Sequence, residues 1–203
     1  MKADIYIKKV TGSQDFKQFM KEDPKAYLCS LFFTKDFNEK HTDVQVDFYS
    51  PKRDSIISFK ANKGVERVPE LKKAETMTHK KFIPKPLTDK IMVDLDEIEP
   101  SLVDEMHNRG MTYQIDKILA FVNITEGEVI WNCTAFLRGL GLLIARLEDK
   151  TNTVLFMEKK SFFDLISFTK GTGQKTEQIP IGKATEKAVG KTENSVKKDV
   201  KKK

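Results

Sequence analysis

Metal or nucleophilic chemistry in this 203-residue chain would have to begin with three histidines and two cysteines. A zinc site needs about four converging N, S or O ligands. His41, His79 and His107 lie far apart in sequence, none beside a second ligand at helical or hairpin spacing, and Cys29 and Cys133 form no C-x-x-C pair. His41 and His79 sit in polar stretches that read as solvent-exposed. His107, shortly before Gly110, is placed to complement the negative end of a helix. Each cysteine lies inside an apolar run, Tyr27-Leu28-Cys29-Ser30-Leu31-Phe32 and Ile130-Trp131-Asn132-Cys133-Thr134-Ala135-Phe136. Both read as buried thiols, with a disulfide or a reactive thiol as the alternatives.

Nucleophilic catalysis requires a Ser, Cys or Thr within reach of a base that a third group orients, and no local signature of that kind occurs. The run Gly171-Thr172-Gly173-Gln174-Lys175-Thr176 has a superficial likeness to a phosphate-binding loop. It lacks the leading Gly at the required spacing and has Gln174 where the second Gly belongs. Asp94, Asp96, Glu97 and Glu99 cluster, which would suit paired carboxylates or a cation. The simpler reading is acids placed at the positive end of a helix. No catalytic, cofactor-binding or metal-ligating residue is therefore assigned.

Two candidate contacts remain. Trp131, the only tryptophan, reads as a core residue; on an exposed sheet face it would instead anchor a partner. Lys197, Lys198, Lys201, Lys202 and Lys203 can attract phosphates by counterion release, without sequence specificity. No aromatic residue interleaves them to stack bases.

The net charge of +6 has to be located before it is interpreted. Residues 171–203 carry nine Lys and four acids, and residues 63–90 carry eight Lys or Arg and four acids. The rest of the chain is mildly acidic, so the basicity belongs to a linker and a tail. A charged fraction of 33% favours solubility, and no apolar run approaches a signal peptide or the roughly 18 residues of a membrane span. The expected location is cytoplasmic.

The elements that must position these residues can be read from periodicity and breakers. Ser13 caps a helix over 14–22, with Phe16, Phe19 and Met20 at helical spacing and Pro24 as the stop. Strands follow at 26–34, 43–49 and 55–60, the last two separated by the turn-forming Ser50-Pro51-Lys52-Arg53-Asp54. Residues 63–90, with Pro69, Pro84 and Pro86, read as a basic linker holding a short helix-compatible stretch near 69–76. Leu95, Ile98, Leu102 and Met106 mark a second helix stopped by Gly110. Pro100 in its first turn would confine true helix to about 100–109. Strands are expected over 113–124, 128–137, 141–149 and 153–158, as an antiparallel meander. Residues 161–168 read as a short helix whose apolar face packs on the sheet, or docks a partner. The tail from Gly171 has no aromatic residue and too little apolar surface to offset the entropy of ordering.

Within the second half, Lys117-Ile118-Leu119-Ala120-Phe121-Val122-Asn123, Val129-Ile130-Trp131-Asn132-Cys133-Thr134 and the run from Leu143 to Leu155 follow a helix. This stretch, roughly 95–158, resembles PepSY-type domains of cystatin-like fold, in which a Trp commonly sits early in a strand and a later turn reads Asp-x-x-Thr-Gly. Asp149-x-Thr151-Asn152 is one residue shorter, with Asn in place of Gly; Asn tolerates left-handed backbone. The resemblance implies a helix packed on a curved antiparallel sheet and a non-catalytic binding or inhibitory role. Family members often lie outside the cytoplasm or on membranes, which the absent export signal does not match.

The expected fold is α+β, with two similar helix-on-antiparallel-sheet units at 1–62 and 91–170. The linker 63–90 joins them, the disordered tail 171–203 follows, and residues 13–62 are the candidate duplicate of the PepSY-like unit. The expected function is a non-catalytic module that binds a protein partner, with no cofactor. The alternatives are nonspecific nucleic-acid association through linker and tail, and an enzyme whose site is assembled from scattered residues.

Overall fold

Runs in which β-branched and aromatic residues alternate or double, broken by short Gly, Asn, Asp and Lys turns, assemble here into a single antiparallel sheet. The structure is a computed structural model, and residues 1–69, 83–139 and 141–161 are described. In chain order the elements are α1 (Ala3–Gly12), α2 (Gln14–Glu22), β1 (Tyr27–Asp36), β2 (His41–Ser50), β3 (Ser55–Lys60) and β4 (Glu66–Arg67). They continue as α3 (Leu95–Asn108), β5 (Ile115–Thr125), β6 (Glu128–Leu137), β7 (Gly141–Glu148) and β8 (Thr153–Ser161). The strand order is β4-β3-β2-β1-β5-β6-β7-β8.

The two expected units therefore share one sheet. β1 and β5 pair antiparallel at its middle, with Phe32 opposite Phe121, Leu31 opposite Val122 and Phe33 opposite Ala120. On either side of this seam the chain forms an antiparallel meander that follows a helix.

All three described helices turn their apolar stripes to the same sheet face. Phe16 and Phe19 of α2 lie against Phe48 of β2 and Phe59 of β3, with ring centroids 4.6 Å apart for Phe16–Phe48 and 5.7 Å for both contacts to Phe59. Edge and tilted ring pairs at this range add to what burial alone contributes. In the other half, Leu95, Ile98, Leu102 and Met106 of α3 are all buried, as the spacing predicts. Phe33 and Trp131 join the two sets, with centroids 5.5 Å apart. The small Ala120 stands opposite Phe33 on one side and Cys133 on the other, and all three are buried.

α3 begins earlier than expected. Asp94 and Glu97 form a reciprocal capping box that starts the helix at Leu95, so Pro100 lies inside it. The proline removes one helical hydrogen bond; the cap and the four-residue apolar stripe hold the helix across it. α1 was not expected. Its buried Ala3 and Val10, with Tyr6 and Ile7 packed against the core, have i, i+3, i+4, i+7 spacing. α2 matches the expected span, and the Ser13 hydroxyl accepts from the Phe16 N–H as the cap.

The stretch expected as a linker takes part in the fold at both described ends. Glu66 and Arg67 pair with Lys60 and Phe59 as β4. On the far side, the Leu87 N–H donates to the Leu28 carbonyl, the Tyr27 hydroxyl donates to the Pro84 carbonyl, and Leu87 is buried. Proline content signals turns and extended chain, and extended chain can pack against a strand as well as bridge between domains. The short helix near 69–76, the helix over 161–168 and the tail fall outside the described residues, except that Ser161 closes β8. Among the described residues no helix is long and apolar enough to cross a membrane.

Turn chemistry follows the sequence. Glu126 and Gly127 both have positive φ, 54° and 98°, the two-residue turn whose twist suits a hairpin. Asn152 takes φ 54°, the left-handed backbone anticipated for it.

One buried carboxylate fastens connecting chain in each half. Asp23 accepts from the Ser50 hydroxyl at 2.5 Å, the Lys52 N–H at 3.1 Å and the Lys25 N–H at 3.2 Å. The Ser50 bond, against the opposing effect of burial and with help from the two backbone N–H groups and the Lys52 charge, holds its pKa below the ordinary 3.8. Asp149 accepts from the Trp131 indole N–H at 2.7 Å and from the Val93 and Met92 N–H groups at 3.0 and 2.6 Å.

Two measurements check these roles. Asp149→Ala leaves two buried donors and one part-buried donor without their acceptor and is expected to cost roughly 3 kcal/mol in urea denaturation, at about 1–3 kcal/mol for each orphaned buried group. For Asp23, the folded pKa lies below the unfolded one, so its contribution is present above 3.8 and lost as pH falls through the folded value. Asp23→Asn should therefore be less stable than the native chain at neutral pH, and the gap in urea midpoint should close on acidification. A constant gap would count against the assignment.

Candidate functional site

The residues with catalytic or metal-binding chemistry are dispersed in the fold. His41 begins β2, half-exposed, its Nε2 2.9 Å from Asp43. His107 lies in the last turn of α3, as expected, and His79 falls outside the described residues. Among the described residues no group of three His, Cys, Asp or Glu side chains is arranged to hold a metal ion. Asp94 caps α3, while Asp96 and Glu99 approach Lys35 of β1 at 3.8 and 3.2 Å. The acidic cluster thus starts a helix and ties it to the sheet.

Cys29 and Cys133 are both free and buried. Burial pushes each thiol up to about 12, so neither is a thiolate near neutral pH. Trp131 is 0% exposed and its indole N–H is taken by Asp149, which leaves it no surface to offer a partner; its place is in the core. Lys197, Lys198, Lys201, Lys202, Lys203 and the glycine-containing run 171–176 fall outside the described residues. A groove of about 450 Å³ runs along α2 beside Gln14, Lys17, Gln18 and Lys21. These are polar side chains spread along one helix, and nothing converges on a reacting atom.

The surface that does gather side chains is the sheet face opposite the helices. Strand alternation sends Leu31, Phe33, Ala120, Val122, Trp131 and Cys133 into the core, so their neighbours point the other way. The register lines these up in rows across the strands. One row runs Gln45, Phe32, Phe121, Asn132, Arg146, Phe156, and the next runs Asp43, Thr34, Leu119, Thr134, Ile144, Glu158. Phe32, Phe121, Phe156, Leu119 and Ile144 surround a shallow hollow of about 300 Å³. They are only partly exposed, and among the described residues no helix lies over them. Arg146 is exposed and sits over the Phe156 ring, its guanidinium carbon 5.4 Å from the centroid.

Beside the hollow the same face becomes polar and closely bonded. Asp47, 5% exposed, accepts from the Ser58 hydroxyl at 2.6 Å, the Gln45 amide at 2.9 Å and the Ser30 hydroxyl at 3.0 Å. A buried carboxylate with this many donors is satisfied by its own neighbours. It fixes the end of the row and needs no ligand.

This face escaped the sequence reading, although a signal was present. Doubled apolar pairs, Phe32-Phe33, Ala120-Phe121, Phe136-Leu137 and Leu142-Leu143, place apolar groups on both sides of the sheet. A strand with one face in water alternates instead.

No family model matches this chain, and no curated protein matches it. Among solved structures it is similar to a candidate lipoprotein from Clostridium difficile 630, at 16% identity and a TM-score of 0.46, over 75% of this chain and 94% of that one. That likeness is too low to carry an argument about fold or role.

The cysteine chemistry can be checked directly. Under native conditions at mildly alkaline pH neither thiol should react with a disulfide reagent on the timescale of minutes, and two equivalents should react once the chain is unfolded in guanidinium. Rapid labelling of either cysteine in the folded protein would overturn the buried-thiol assignment.

Proposed function

We propose that this protein is a non-catalytic binding module that docks a protein partner on the sheet face opposite its helices. The observation that carries the reading is the hollow between Phe32, Leu119, Phe121, Ile144 and Phe156. An apolar surface built on aromatic side chains with a few polar groups among them, here Asn132, Thr134 and Arg146, is a composition that protein interfaces favour. Burying one half-exposed phenylalanine fully contributes on the order of 1 kcal/mol, so three rings and two aliphatic side chains suffice for a micromolar contact only if the partner fits closely.

The reading extends to ancestry and location. A helix followed by an antiparallel meander on each side of the seam, with Phe32 meeting Phe121 at comparable places in the two halves, supports a duplicated cystatin-like unit, the second half PepSY-like. Two unpaired, buried cysteines fit a reducing intracellular compartment, where disulfides are rare.

The docking surface is tested by Phe121→Arg, which places a charge in the hollow without touching the helix-covered core. Proteins captured from native lysate by the immobilised chain should be lost with this variant, while thermal stability stays within about 1 kcal/mol of the native chain, as for most surface changes. A control on the other side, Lys17→Glu in α2, should leave capture unchanged. Equal capture by all three chains would defeat the proposal.

A further inference from the structure

The hollow has a size and a charge that narrow its occupant. Its lining side chains come from five adjacent strands, β1, β5, β6, β7 and β8, and its outward-facing ones lie in two neighbouring rows of the register. Four strand intervals of about 4.8 Å make it roughly 19 Å long, and rows two residues apart are about 7 Å from each other. With side chains included, the slot is about as wide as one helix, ~10 Å. The patch is thus roughly 200 Å², against about 800 Å² per partner in a standard interface. A second copy of this sheet would extend well past it, onto Asp36 and Lys117 on one side and Asn123 and Glu148 on the other. A single segment fills it.

The charge is Arg146, exposed and stacked on the Phe156 ring, with no carboxylate at ion-pair distance among the described residues. The acids nearest to it in the register are engaged elsewhere. Glu148, two residues along β7, accepts from the Thr151 hydroxyl, and Glu158 of β8 pairs with Lys160 at 3.4 Å. Lys117, in the row beyond, is matched by Asp36 at 3.5 Å. A guanidinium held flat on a ring keeps its planar fork of donors for a carboxylate, which accepts two of them at once.

We propose that the slot takes one amphipathic segment of a partner protein, with large apolar side chains over Phe32, Leu119 and Phe121 and a carboxylate on Arg146. This gives the docking reading above its partner chemistry, and rests on it. Phe121 and Arg146 stand two strands apart in one row, about 10 Å. Two turns of helix rise about 11 Å, so a helical occupant carries its acid about seven residues from its apolar anchor. The single cation also gives the segment a direction, because apolar contact alone is satisfied in either sense.

The test uses the immobilised full chain and phage-displayed random 16-residue peptides, counter-selected on the Phe121→Arg variant, which retains the lysine-rich C-terminal sequence. The peptides recovered should combine large apolar residues with an Asp or Glu. Each should bind about threefold more weakly to Arg146→Gln and about tenfold more weakly to Arg146→Glu, the range for an exposed ion pair and its reversal. Replacing the peptide's acid by Lys should restore binding to Arg146→Glu, and selection on that variant should recover basic peptides instead. Thermal unfolding of each variant at the native temperature confirms that the fold is intact. Peptides lost with Phe121→Arg but bound equally by the native chain and Arg146→Glu would keep the docking surface and overturn the carboxylate. Weaker binding to Arg146→Glu without restoration by the charge swap would overturn the direct pairing. Failure to recover any peptide that Phe121→Arg abolishes would overturn occupancy by a single segment, while capture from native lysate decides the docking surface separately.

Discussion

The antiparallel pairing of β1 with β5 is the constraint on which the rest of the molecule depends. It joins residues roughly ninety positions apart, Phe32 to Phe121, and turns two meanders into one sheet. Because side chains alternate strictly along a strand, this one register decides what lies on each face of both halves at once. With Phe33 opposite Ala120, the Phe33 ring can lie beside Trp131 in the core, while Phe32 and Phe121 meet on the other side. A slip of one residue would send Phe33 out and Phe32 in, and break the core and the hollow together.

Around that seam, connecting chain is fastened by polar groups placed where apolar packing cannot specify a path. Asp149 holds the chain at Met92 and Val93 against Trp131, and Asp23 holds the turn after β2 against the end of α2. Both carboxylates are nearly inaccessible, at 2% and 3% exposure, and each satisfies several donors that would otherwise be orphaned. Such a group discriminates among routes more sharply than a hydrophobic contact does, since only one arrangement of N–H groups satisfies it.

Much of this was legible in the sequence, for reasons that differ by element. α2 could be read because Ser13, the Phe16 and Phe19 pair and Pro24 supply a cap, a stripe and a stop within twelve residues. β3 and β6 were legible because turn residues bound them closely on both sides. α1 was missed although its spacing is regular, because lysines interrupt it and no capping side chain marks its start. The start of α3 was misjudged because Pro100 is a strong local signal, whereas the Asp94–Glu97 box that outweighs it depends on two side chains acting together. The dispersal of His41 and His107 and the burial of both cysteines followed from local context. The hollow could not be read in the same way. It exists only because the register sets Phe32, Phe121 and Phe156 in one row, and Asn132 and Arg146 stand between the last two.

The seam also has a consequence in time. β1 leaves the ribosome before its second neighbour, β5, which follows only after roughly ninety more residues. At about 5–20 residues per second, β1 spends on the order of 5–20 s with one side paired to β2 and the other open. An open edge carrying Leu31, Phe32 and Phe33 is a template for other nascent chains. The N-terminal half therefore has most to gain from a chaperone during synthesis, and slower translation of residues 62–115 would be expected to raise aggregation more than slower translation elsewhere.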